Sequence, residues 1–250
     1  MLRSTRHRFA AASVAAILLA ALLCMVAGPA AGSGGPHAAP YAGPALIYYA
    51  DGVNATSLAQ RLGVTISEDY GSFALAALSA TQREWLGFEG ITVQPLPDLT
   101  RIYLRSADLD TSVGEPPLDP DLMNPNTGPG WYLVQFKGPV RSQWQTELQA
   151  AGEVVGYYPN YTYLAYLSAQ ARGVVPTWGF VNWVGPFHPA YRLQLNLGDG
   201  QYLISLFPGR AGQATLDKLT NLGLTVLDSY GTTVLAEGPR PTPPGAAWYS

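Results

Sequence analysis

GVTISEDYGSFALA (63–76), GEVVGYYPNYTYLA (152–165) and GLTVLDSYGTTVLA (223–236) are three stretches of one 250-residue chain that align without a gap. Each opens on a glycine (Gly63, Gly152, Gly223) and ends twelve residues later in a Leu-Ala pair: Leu75-Ala76, Leu164-Ala165 and Leu235-Ala236. Ahead of each glycine, apolar residues recur three and four apart. They are Ala55, Leu58, Ala59 and Leu62; Val140, Trp144, Leu148 and Ala151; and Leu216, Leu219 and Leu222. That spacing predicts one buried face of a short helix, with the glycine as its left-handed stop. In the second copy Gly138-Pro139 puts proline in the first helical turn, where its missing N–H is tolerated. Behind each glycine, β-branched and aromatic runs flank a turn, at Tyr70-Gly71, Pro159-Asn160 and Tyr230-Gly231. This is the pattern of a β-hairpin. A further strand precedes each helix, at 45–49, 131–136 and 201–207.

Working outward, the first two copies continue alike. Ser79 and Ser168 open second helical stretches (80–88 and 169–178), Gly90 and Gly179 close them, and final strands follow at 91–95 and 180–186. The unit reads strand, helix, strand, strand, helix, strand, the ferredoxin-like split β-α-β arrangement. The expected fold class is therefore α+β, as tandem modules with antiparallel sheets. Helices would cover one sheet face and leave the other for docking. The third copy is incomplete. Pro239, Pro241, Pro243 and Pro244 forbid a regular second helix, and Ala246-Ala247-Trp248-Tyr249-Ser250 only echoes the last strand. The expected organisation is a signal peptide at 1–32, a spacer at 33–44, module 1 at 45–105 and a Pro/Asp-rich linker at 106–130. Module 2 follows at 131–195, then a partial module 3 with a Pro-rich tail at 196–250.

The leader carries Arg3, Arg6 and Arg8 ahead of an apolar run and then small residues around Ala30, Ala31 and Gly32. It reads as an export signal, placing the protein outside the cell, with a membrane partner only if the leader stays uncleaved. The sole cysteine, Cys24, lies in it, so the rest of the chain has neither a disulfide framework nor a multi-thiolate zinc site. Folding must then rest on packing. Only 12% of residues are charged, with 14 basic against 17 acidic, which leaves no basic field for a phosphate backbone and makes nucleic acid an unsuitable partner. Asp108, Asp110, Asp119 and Asp121 in the linker lack the spacing of a calcium loop and read as solvated.

The wording of the second copy carries a resemblance. It includes Trp131-Tyr132-Leu133-Val134-Gln135-Phe136-Lys137-Gly138-Pro139-Val140, the stretch Gly152 to Asn160, and Trp183-Val184-Gly185-Pro186-Phe187-His188-Pro189-Ala190-Tyr191. This resembles the non-catalytic, prodomain-like region ahead of the catalytic domain in bacterial secreted subtilisin-like serine peptidases. The resemblance covers about 130–195 and reaches the other copies through the repeat. It implies a ferredoxin-like module that docks on a subtilisin-like serine protease domain as chaperone, inhibitor or positioning region. The alternative is a free-standing extracellular interaction or structural protein reusing the fold. Trp183, Gly185, Pro186, Phe187, Pro189 and Tyr191 are the family-motif residues. Tyr161 and Tyr163 on the aromatic hairpin are either core or partner-facing.

The chemistry of a peptidase is not written in this chain. After the leader it has two histidines, His37 in a Gly/Pro/Ala spacer and His188 in Phe-His-Pro, and neither sits in a triad-like context. Gly231-Thr232-Thr233 reads as a hairpin turn rather than a nucleophile motif. No phosphate loop and no helical His-x-x-x-His pair occurs. Glu68-Asp69 flanks a turn and reads as a solvated corner. Asn54-Ala55-Thr56 and Asn160-Tyr161-Thr162 fit glycosylation sequons but read as a helix cap and a hairpin turn. No catalytic residue, cofactor or metal is expected.

Overall fold

The computed structural model describes residues 42–104, 106–124, 128–192, 200–207 and 212–239. The leader, almost all of the spacer and the Pro-rich tail lie outside them. The protein is mixed α+β, built on antiparallel sheets. The first unit runs β1 (Gly43–Tyr48), α1 (Ala55–Leu62), β2 (Ile66–Asp69), β3 (Phe73–Leu78), α2 (Ala80–Phe88) and β4 (Val93–Pro95). A small hairpin, β5 (Arg101–Tyr103) with β6 (Asp108–Asp110), follows. The second unit runs β7 (Gly130–Phe136), α3 (Ser142–Ala151), β8 (Gly152–Tyr158), β9 (Thr162–Leu167), α4 (Ala169–Val174) and β10 (Val181–Pro186). The third comprises β11 (Gly200–Ser205), α5 (Gln213–Asn221), β12 (Thr225–Tyr230) and β13 (Thr233–Gly238). No helix among the described residues is long and apolar enough to cross a membrane.

The sheets run β2-β3-β1-β4, β10-β7-β9-β8 and β11-β13-β12, with every neighbouring pair antiparallel. Numbered within each unit, the two complete sheets share the order 2-3-1-4, and the third sheet has 2-3-1. Local chemistry starts the helices where the sequence places them. Asn54 and Ser79 each accept the backbone N–H three residues on, while Ser57 and Gln82 reach back to the cap N–H, two reciprocal capping boxes. In the second unit the helix begins only at Ser142, so Pro139 lies in the preceding turn rather than in the first helical turn. Pro176 belongs to a 3-10 turn at Val175–Thr177, which shortens α4 relative to the expected 169–178 stretch.

The anchoring glycines divide into two kinds. Gly63 (φ +60°) and Gly223 (φ +86°) take the left-handed stop, as the spacing predicts. Gly152 is extended (φ −169°) and is already the first residue of β8. A Cβ there would collide with the Tyr166 carbonyl oxygen and the Leu167 side chain, so close strand approach explains the glycine. The gapless alignment hides the difference. The second hairpin closes Tyr158 against Thr162 across three residues, with Asn160 and Tyr161 both at φ +62°, whereas Tyr230 pairs with Thr233 across two. The extra hairpin residue is offset by one fewer after the glycine: Val154, opposite Ala165, follows Gly152 by two residues, whereas Ile66 and Val226 follow Gly63 and Gly223 by three. All three second strands carry a bulge at the same place, between the partners of the Leu-Ala pair: Ile66/Glu68, Val154/Gly156 and Val226/Asp228.

Helices and one sheet face enclose a separate core in each unit. Ala45, Ile47, Leu58, Val64, Ala76, Leu78, Leu86 and Ile91 form the first. Tyr132, Val134, Phe136, Trp144, Leu148, Ala165, Leu167, Val175 and Val181 form the second. Tyr202, Leu219, Leu224, Val234 and Ala236 form the third. A fourth cluster lies on the helix-free side of the second sheet, where Leu133, Leu164, Phe187 and Tyr191 meet Ile102, Leu104 and Leu109 of the hairpin region. The segment expected to be a solvated linker therefore contributes β6 and a fully buried Leu109. Composition misled because Asp108 and Asp110 belong to β6 itself and flank its one buried apolar residue.

Candidate functional site

The register of the sheets brings the repeat's leucines together. Leu46 pairs with Leu75, Leu133 with Leu164 and Leu203 with Leu235, each pair central on the helix-free face of its unit. The second leucine of each pair is that of the Leu-Ala repeat; the first comes from the strand before the helix. In the first two units all four are 5% exposed or less, whereas Leu203 is 74% exposed and Leu235 half-buried. Among the described residues, the expected open face is seen in the third unit.

The first face is closed by the second unit. The turn after β7 lies against it, so that a Cβ on Gly138 would press on Leu75 and the Tyr70 hydroxyl. Arg141 clamps the junction: its Nη2 donates to Glu68 Oε1 at 2.6 Å and to the Asp69 carbonyl oxygen. The guanidinium lies 4.8 Å from the Tyr70 ring centroid and 5.5 Å from that of Trp144. Glu68-Asp69 is thus a docking corner rather than a solvated one. Burial, and next the Glu68 charge, push the Tyr70 hydroxyl pKa well above its ordinary value.

The second face is closed by the β5–β6 hairpin and a strap from the residues after it. His188, 1% exposed, accepts the Asn124 N–H on Nδ1 at 2.9 Å, which places its proton on Nε2, 3.2 Å from Glu115 Oε2. Asn124 Nδ2 donates to the Phe187 carbonyl and Ser106 Oγ to the Ala190 carbonyl. Both imidazole nitrogens are thus engaged in holding the strap. Behind them Gln135, fully buried, donates to the Leu99 carbonyl and accepts from Thr111 and Asn182. Burial, then the Glu115 charge, raise the Tyr191 pKa. Among the described residues no group of three His, Cys, Asp or Glu side chains is placed to hold a metal ion.

The motif residues fall mostly inside this closure. Gly185, Pro186, Phe187, Pro189 and Tyr191 are buried, and a Cβ on Gly185 would strike the Trp183 ring. Trp183 is half-buried on the strap side. Tyr161 and Tyr163 pack against the second core, Tyr163 edge-on to Phe136 at 5.6 Å. The eight residues therefore divide between the core and the strap side, with Tyr161, Tyr163 and Trp183 keeping partial exposure. The third unit holds exposed apolar side chains that the sequence reading did not single out: Leu203, Leu227 and, at the hairpin tip, Tyr230 at 88% exposure, beside half-buried Leu235. In the alignment Leu235 matches two buried leucines, Leu75 and Leu164, and among the described residues no hairpin covers it.

Comparison with known proteins gives one match. A family model described as Domain of unknown function (DUF8729) matches residues 89–188, which span the β5–β6 hairpin, the strap and the second unit to His188. No curated protein and no solved structure matches the chain.

Proposed function

We propose that the chain is a secreted, non-catalytic array of ferredoxin-like modules related to subtilase prodomains. It acts as chaperone, inhibitor or positioning region for a subtilisin-like serine protease domain that this chain does not itself carry. The module reading is supported by the shared 2-3-1-4 strand order of the first two units and by the family wording of the second. The observation that carries the docking role is the bare Leu203–Leu235 pair, the position buried in both other units. A protease would approach this third face, since the motif residues of the second unit lie under the strap.

The test titrates the full chain against a subtilisin-like peptidase domain from the same source, following cleavage of a chromogenic peptide and binding by calorimetry. Binding or slowed turnover at micromolar chain is expected, weakened at least about tenfold by Leu203→Glu. Neither effect up to about 100 μM, where any contact would be weaker than ~5.5 kcal/mol, would overturn the proposal.

One observation favours the second reading, a free-standing extracellular interaction protein. Two of the three sheet faces are consumed within the chain, as in a self-contained assembly. An adjacent reading frame with subtilase Asp, His and Ser motifs supports the first reading; unrelated neighbours support the second.

A further inference from the structure

At the first junction a carboxylate and a tyrosine on the second strand of the sheet hold one arginine. Arg141 donates to Glu68, its guanidinium lies over the Tyr70 ring, and Gly138, three residues earlier, comes up against Leu75. Register fixes where these acceptors stand. Glu68 is opposite Leu75, the leucine of the Leu-Ala pair, and Tyr70 closes the hairpin with its N–H on the Phe73 carbonyl. The third unit repeats both positions, with Asp228 opposite Leu235 and Tyr230 opposite Thr233. The second unit does not, because Gly156 stands opposite Leu164.

We propose that the third sheet face receives an arginine-bearing turn of a partner protein: a small residue and, three positions on, an arginine, seated as Gly138 and Arg141 are on the first face. This rests on the docking role given above to the third face, and it names the chemistry of what docks there.

The contrast among the units carries the inference. Where carboxylate and tyrosine are both present and the face is closed, the cover is a turn with an arginine. Where glycine takes the carboxylate position, the cover is the β5–β6 hairpin and strap, which set Ile102, Leu104 and Leu109 on Leu133 and Leu164. The third unit has the acceptors of the first. Asp228 is exposed, accepts the adjacent Ser229 N–H and has no ion pair among the described residues. Thr233 stands where Phe73 stacks on Tyr70 at 4.5 Å, which leaves the Tyr230 ring, 88% exposed, open to a planar cation.

Charge and shape agree. β11, β12 and β13 carry Asp228 and Glu237 and no basic residue, so the face is complementary to a cation. Arginine suits it better than lysine, because a planar guanidinium can lie on a ring and reach a carboxylate at the same time. On the first face a Cβ at Gly138 would come within 2.7 Å of Leu75 Cδ2, so a small residue makes the closest fit over that leucine. Leu235 holds the same position in the third unit, beside the exposed Leu203.

The probe is a capped peptide with the sequence of residues 136–143, titrated into the isotope-labelled full chain and followed by amide shifts. Saturable shifts in β12 and β13 by about 5 mM peptide are expected, while β2 and β3, whose acceptors are filled by the chain's own turn, stay unmoved. Citrulline in place of the peptide's arginine should weaken binding at least about threefold, and so should Asp228→Asn or Tyr230→Ala, both surface changes that leave the core intact. No shift in β12 and β13 at that concentration, or equal affinity for the citrulline peptide, would overturn the proposal. Sedimentation of the chain alone reads the competing occupant: a dimer dispersed by Leu203→Glu would put a second copy on the face and overturn it as well. The peptidase titration separates this inference from the reading it rests on. A peptidase sensitive to Leu203→Glu and indifferent to Asp228→Asn would keep the docking role and overturn the arginine, whereas arginine-dependent peptide binding with no peptidase binding would uphold the arginine and sink the protease as partner.

Discussion

The same leucine pair meets three fates along this chain. Leu46–Leu75 is buried by the next unit's turn, Leu133–Leu164 by a hairpin and strap, and Leu203–Leu235 faces solvent. The backbone around the three pairs is alike down to the bulge in the second strand, so the difference does not arise within the repeat. It arises from what packs on each face: a turn of the second unit on the first, the intervening hairpin and strap on the second. Sheets of like strand order thus have one position that is core in two settings and exposed in the third.

The largest effect expected from breaking this comparison is at the centre of the second face. Leu133→Ala leaves a cavity between sheet and hairpin and costs about 2–5 kcal/mol, read as a lower urea midpoint. A change below ~1 kcal/mol would mean the strap is not packed on the sheet. Next is alkaline stability. The Tyr191 hydroxyl titrates above its ordinary range because it is buried and lies near Glu115, so its contribution is complete below pH ~10 and lost as pH rises beyond it. Stability should fall above pH ~10, with Tyr191 supplying up to about 1.4 kcal/mol per unit of the slope beside the share of Tyr70, and Tyr191→Phe should remove its own share. Arg141→Ala removes the clamp on Glu68 and the ring contacts. It should cost about 1 kcal/mol and increase exchange in β2 before that in β12. The smallest effect is in the third unit, where Leu203→Ala should move the midpoint by no more than ~0.5 kcal/mol.

The hairpins and helix ends were legible because they are local: Asn54, Ser79, Gly63, Gly223 and the Leu-Ala pairs announce them within a dozen residues. What covers each sheet was not. Ile102, Leu104 and Leu109 look like stray apolar residues in a Pro/Asp-rich stretch until the hairpin is seen against Leu133. His188 reads as an isolated histidine because its partners, Glu115 and Asn124, lie 73 and 64 residues away. The glycine, prolines and aromatics of 185–191 are buried under the strap, which no local pattern in that segment announces.

Side-chain footprinting with a photogenerated carbene, read by mass spectrometry, tests the contrast most directly. The account requires strong labelling of Leu203 and Leu235 with Leu46, Leu75, Leu133 and Leu164 protected in the same folded sample. Comparable labelling of all three pairs, or protection of the third equal to that of the first two, would contradict it.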